Sequence, residues 1–120
     1  MTIFIPGNVP SSKNSKRWTG KMLINSKTVM KYIKETKGHY LQYKVLFKNQ
    51  TKNKQFPIMV SFKFVRGSKH KFDYINPAQT VQDLMVKNGW IEDDNCDCMI
   101  PSFKPYEYNK ENPGVYIEII

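Results

Sequence analysis

PIMVSFKFVR, residues 57–66, sets Met59, Ser61 and Lys63 against Val60, Phe62 and Phe64 and runs on into GSKHKFDYINPAQTVQDLMVKNGW, residues 67–90. Alternation with a period of two, in β-branched and aromatic residues, predicts a half-buried strand, the strongest in the chain. It delivers the chain through Gly67 to Asp73. The pair Asn76-Pro77 then reads as a helix start, Asn as cap and Pro at the first helical position, and Gly89 reads as the stop after Asn88. A short helix over residues 77 to about 87 is expected.

Upstream, residues 2–6 (TIFIP) read as a short strand ending at Pro-Gly, followed by a polar loop, GNVPSSKNSKRWTGKM. Ser26 stands where an N-cap belongs, and residues 27 to about 47 predict one long amphipathic helix, with Met30, Ile33, Leu41 and Val45 as its apolar face. Downstream, residues 99–106 and 114–119 predict a terminal hairpin turning through NKENPG. The expected fold is α+β: a small mixed or antiparallel sheet with one long and one short helix, in a single domain over residues 1–120.

The composition fits a folded globule, at 40% hydrophobic and 13% aromatic residues. No apolar run approaches the ~20 residues that span a bilayer, and the N-terminus does not read as a signal peptide. A cytoplasmic protein without a membrane partner is expected. Cys96 and Cys98 have no second Cys/His pair at zinc-site spacing and read as free thiols.

Charge is divided along the chain. Residues 1–72 carry sixteen Lys and Arg against one acid, Glu35, whereas residues 73–120 carry three Lys against nine acids. The basic excess, +9 overall, suits a polyanionic partner, since each Lys or Arg seated on a phosphate releases a condensed counterion. Lys13, Asn14, Lys16 and Arg17, in the polar loop beside Trp18, and Lys69 and Lys71 are the candidate nucleic-acid contacts.

Six of the ten acids fall within residues 71–100. Asp73 follows a strand, and Glu92, Asp93 and Asp94 follow the helix which that strand feeds, so a short return would let Asp73 and Asp94 share a cation. Carboxylate oxygens suit Mg²⁺, which takes one or two of them together with waters and substrate phosphate. A solvated acidic turn is the plainer reading. His39, Asp83, Trp90, Ile91, Phe103, Tyr106 and Tyr108 have ordinary surface or packing readings, with Trp90 and Ile91 as core or dimer contacts and the three ring residues as alternative stacking surfaces for bases.

IPGNVPSSKNSKRW, INSKTVMKY, FDYINPAQTVQDLM and GWIEDDNC together resemble the RusA family of Holliday junction resolvases over nearly the whole chain, with the 21-residue step from Asp73 to Asp94 kept. The resemblance implies a Mg²⁺-dependent endodeoxyribonuclease, with Mn²⁺ as a substitute, that acts as a homodimer on four-way junction DNA by paired symmetric nicks in recombination and repair. By position, it makes Asp73 and Asp94 metal ligands, and matches Asn76 to the family's asparagine, Asp83 to its helix aspartate and Asp93 to the Asp-Asp pair. The chain departs from the family pattern twice: Ile75 stands where a second aspartate is expected, and Gln79 where a functional lysine is expected. Asp97 or Glu92 is the nearest replacement carboxylate, and Lys69 or Lys71 the nearest replacement cation. The competing expectation is a non-catalytic junction-binding protein of the same fold; an RNA-binding module has only the charge behind it.

Overall fold

A computed structural model describes residues 2–11, 16–18, 23–25 and 27–120, with the backbone alone for 16–18 and 23–25. Lys13, Asn14 and Ser26 lie outside the described residues, as do the side chains of Lys16 and Arg17. The elements are β1 (Thr2–Pro6), β2 (Lys16–Trp18), β3 (Leu23–Asn25), α1 (Lys27–Thr51), β4 (Ile58–Arg66), α2 (Ile75–Lys87), β5 (Met99–Phe103), β6 (Glu107–Tyr108) and β7 (Gly114–Ile119). The expected α+β class with one long and one short helix is what forms. β2, within the segment expected to be loop, pairs antiparallel with β3, just after that segment, as a separate two-stranded sheet.

The main sheet is mixed, in the order β1-β7-β4-β5, with β6 continuing beyond β5 along the same edge of β4. β1 with β7, and β7 with β4, are antiparallel, whereas β5 and β6 run parallel to β4. The expected terminal hairpin therefore does not form: β5 and β7 lie on opposite edges of β4. The cause is the strength of β4 itself. Val60, Phe62 and Phe64 are fully buried on one face, and Ser61 and Val65 nearly so on the other, so this strand takes the centre and needs pairing on both edges. After β5 the chain stays on β4, with the Lys104 amide donating to the Phe62 carbonyl and that of Asn109 to the Arg66 carbonyl. It then crosses the end of β4 through a turn held by the Asn109 side chain, whose Oδ1 accepts from the amides of Glu111 and Asn112 at 3.0 and 3.1 Å. Gly114 opens β7 where a Cβ would meet the Ile5 carbonyl oxygen at 2.6 Å and the Phe4 ring.

The inward face of the sheet, including Ile3, Ile5, Val60, Phe62, Phe64, Val115 and Ile117, shares one core with both helices. α1 buries Val29, Tyr32, Thr36, Tyr40, Phe47 and Thr51. This corrects the expected face, for Met30, Leu41 and Val45 are 52, 48 and 64% exposed and Ile33 is only partly buried. Three aromatic rings offer more apolar area than Met, Leu and Val, so the stripe carrying them turns inward. Its two threonines are compatible with burial because each hydroxyl donates to a carbonyl four residues back, Thr36 to Tyr32 at 2.6 Å and Thr51 to Phe47 at 2.9 Å. Trp90 seals the helix pair, with its ring 5.0 Å from Phe47 and 5.7 Å from Tyr40 and its Nε1 donating to the Tyr40 carbonyl at 2.7 Å. Trp90 and Ile91 are thus core residues. Among the described residues no helix is long and apolar enough to cross a membrane.

Candidate functional site

The site is built on α2 and on the two segments that enter and leave it. The helix starts two residues earlier than expected, with Tyr74 as its N-cap, so Asn76 lies within the first turn and does not cap it. The Tyr74 ring is held between Phe72 and Phe103, at 5.2 and 5.8 Å, and its hydroxyl accepts from the Tyr106 amide at 3.0 Å. That anchor fixes the backbone ahead of Asn76. The Asp73 carbonyl then accepts from the Asn76 amide, and Pro77 sits in a first turn where no N–H is needed. At the far end Gly89, with φ of +78°, ends the helix as the sequence predicts.

Ahead of α2, the Arg66 guanidinium stacks on Phe72 at 4.6 Å and donates to the Val9 carbonyl at 2.6 Å. Burial lowers its pKa from the ordinary arginine value, yet a guanidinium stays charged at any working pH. Thr80 on α2 donates to the Pro10 carbonyl at 2.7 Å. These two ties bring residues 9–11, the entrance to the basic loop, against the first turns of α2. Further along the same edge Lys69 lies over the Tyr108 ring at 5.0 Å.

The sequence-predicted site residues fall into two groups. Lys71, Asp73 and Asn76 line one open cleft of about 470 Å³, together with His70 and walled by Phe72, Tyr74 and Tyr106. Asp94 belongs to the second group. The Gln79 amide nitrogen donates to Asp83 Oδ1 at 2.7 Å and to Asp94 Oδ2 at 3.1 Å, so a single side chain gathers the helix aspartate and the loop aspartate. Asn76, Gln79 and Asp83 follow one another on α2 at steps of three and four residues, one stripe along a helix face from the cleft to the pair, and Asp73 lies just ahead of the helix.

Asp93 is occupied within its own loop: Oδ1 accepts from the Asp94 amide at 2.8 Å and Oδ2 from the Asn95 side chain at 3.0 Å. Asp97 is exposed, its amide donating to Asn95 Oδ1. Ile75 is 64% exposed and supplies no ligand. Among the described residues no three of His, Cys, Asp and Glu converge closely enough to hold a metal by themselves. Two carboxylates joined by an amide are still a hard-oxygen donor set of the kind magnesium accepts, because that ion keeps several waters. Each carboxylate keeps one oxygen with no protein partner among the described residues.

Sequence reasoning noticed Gln79 only as a departure from a pattern. Its bridging part has a weak local signal, the i,i+4 spacing to Asp83, and none for Asp94, fifteen residues away. Compared with known proteins, the chain matches no protein-family model and no curated protein.

Proposed function

We propose that this chain is a divalent-cation-dependent endodeoxyribonuclease that recognises four-way junctions and, as a homodimer, nicks two strands symmetrically in DNA recombination and repair. The observation that carries the reading is the Gln79 bridge, which joins Asp83 of α2 to the loop residue Asp94 on the helix that also bears Asn76 and that Asp73 immediately precedes. The ties from Thr80 and Arg66 support it, since they hold residues 9 and 10, which precede the basic loop in sequence, to α2 and to the end of β4. Resemblance to the RusA resolvases supplies the junction and the dimer, and a two-fold protein suits a substrate that must be cut twice.

In this reading Asp94 and Asp83 would hold the cation, with Asn76 in the first turn of the same helix and Asp73 just ahead of it. When bound, Mg²⁺ supplies charge stabilisation at the scissile phosphate and a more acidic water. The chain's own residues do the rest. Lys71 and His70, in the cleft with Asp73, present positive and hydrogen-bonding groups to the phosphodiester. Gln79 donates to both carboxylates and adds no charge beside them. Hydrolysis joins the water oxygen to phosphorus and breaks the bond to one sugar oxygen.

A second reading, a junction-binding protein without cleavage, is favoured by Ile75 and Gln79, which replace a carboxylate and a cation. Labelled four-way junction incubated with Mg²⁺ or Mn²⁺ decides between them, with Asp94→Asn and a chelator as controls. Paired symmetric nicks that the variant and the chelator abolish are the expected result. Tight junction binding with no nicks in either metal would overturn the nuclease and leave the second reading.

A further inference from the structure

Lys34 and Lys37 stand one turn apart on the exposed side of α1, and Lys87 stands in the last turn of α2. The three line a single cleft of about 140 Å³ between the helices, floored by Ile33, Tyr40 and Leu84 and containing no acidic side chain. Among the described residues the ion pairs are Lys31 with Glu35, Lys63 with Glu107 and Lys104 with Glu118, so none of the three cleft lysines is neutralised by a carboxylate. Glu35, the one acid on α1, is turned to Lys31.

Three ammonium groups around an apolar floor repel one another, and the floor weakens the water screening that would relieve them. A compact anion with several acceptor oxygens removes that repulsion. The C-terminus of α2 opposes an anion with about half a negative charge. Three full positive charges outweigh it, and Lys44, packed over Gly89, offsets the same helix end.

The geometry points to a phosphate subsite at this cleft, one that takes a backbone phosphate of bound nucleic acid next to the one presented to Asp83 and Asp94. Lys87 lies four residues, about 6 Å of helix rise, beyond Asp83 on a neighbouring line of α2, so a strand reaching the carboxylates passes the cleft. The subsite rests on the nucleic-acid reading above, but its residues are separate from those that would do chemistry.

The test measures affinity for labelled four-way junction against salt for three proteins: wild type, Lys34→Gln/Lys37→Gln/Lys87→Gln, and Lys48→Gln/Lys52→Gln/Lys54→Gln, an equal loss of charge at the far end of α1. If the cleft holds one or two phosphates, its triple variant lowers the slope of log K against log salt by about one to two and weakens binding roughly tenfold or more at moderate salt, while the distant triple changes less. The arginine triple at positions 34, 37 and 87 should keep the wild-type slope, which separates charge from misfolding. A wild-type slope in the cleft variant, or equal losses in both glutamine triples, overturns the subsite and leaves the proposed nuclease standing. Wild-type protein that binds neither junction nor duplex at low salt overturns the nucleic-acid reading together with the subsite.

Discussion

Replacing Gln79 by glutamate puts a third carboxylate where an amide now touches two. In the native protein the amide nitrogen donates to Asp83 Oδ1 at 2.7 Å and Asp94 Oδ2 at 3.1 Å. Gln79→Glu removes both hydrogen bonds and sets a negative oxygen against two others. Like charges about 4 Å apart repel by ~1 kcal/mol each in a water-like dielectric, so the two contacts cost about 2 kcal/mol, to which the lost bonds add a fraction. Protonation caps the cost, since lifting one glutamate from its ordinary pKa to neutrality takes about 3.7 kcal/mol. Because the side chain is exposed and able to swing outward, much of that repulsion is relieved, leaving about 1 kcal/mol. At about 4 °C per kcal/mol for a chain of this size, the melting temperature should fall by roughly 4 °C in chelator at low salt. High salt screens the repulsion, and a divalent cation held by the carboxylates would offset it, so both should narrow the gap. Gln79→Ala, which loses the bonds without adding charge, should cost no more than ~1 kcal/mol. Thermal unfolding followed by circular dichroism reads all of this. A Gln79→Glu protein that melts with the wild type in chelator at low salt would show that the bridge does not form, and a deficit unmoved by salt or Mg²⁺ would show that its origin is not electrostatic.

Other expectations follow from the core. Trp90→Ala empties the site packed by Tyr40 and Phe47 and removes the indole bond to the Tyr40 carbonyl; denaturant titration should find a loss of about 3–5 kcal/mol. Gly114→Ala drives a methyl into Phe4 and the Ile5 carbonyl where β1 joins β7, and should cost about 1–3 kcal/mol in the same titration. Burial raises the Tyr32 phenol from 10.0 to about 12, and Tyr40, bonded to it at 3.1 Å, is raised as well. Above pH 10 the unfolded chain releases the Tyr32 proton while the folded one keeps it, so stability is complete below pH 10 and falls as pH rises toward 12, by roughly 3 kcal/mol for Tyr32 alone. Tyr32→Phe should remove the Tyr32 share of that alkaline loss and leave that of Tyr40 in melts taken between those two pH values, and an unchanged profile would show that another group causes it.

Some of this architecture was legible in the sequence because it is local. The alternation of residues 57–66 and the Gly89 stop need only neighbouring residues, and both hold. So does the α+β class with a long and a short helix. The partition of charge, with a basic first part and an acidic segment after Asp73, is likewise a property of the chain as written.

Competition between segments for shared surfaces is a different matter. Local pattern reads both β5 and β7 as strands, but β4, buried on one face and partly on the other, claimed them for its two edges and left no hairpin. Met30, Leu41 and Val45 are a sound apolar face for an isolated helix, and lost to Tyr32, Tyr40 and Phe47 because rings bury more area against the sheet and Trp90. Asn76 has the right chemistry for a cap, yet the anchoring of Tyr74 by Phe72, Phe103 and the Tyr106 amide started the helix before it. The sequence by itself determined which residues carry charge and where strands and helices arise. Only the tertiary structure decided that Gln79 joins Asp83 to Asp94, because a hydrogen bond across fifteen residues depends on where the loop after Gly89 is packed, and no local propensity encodes that.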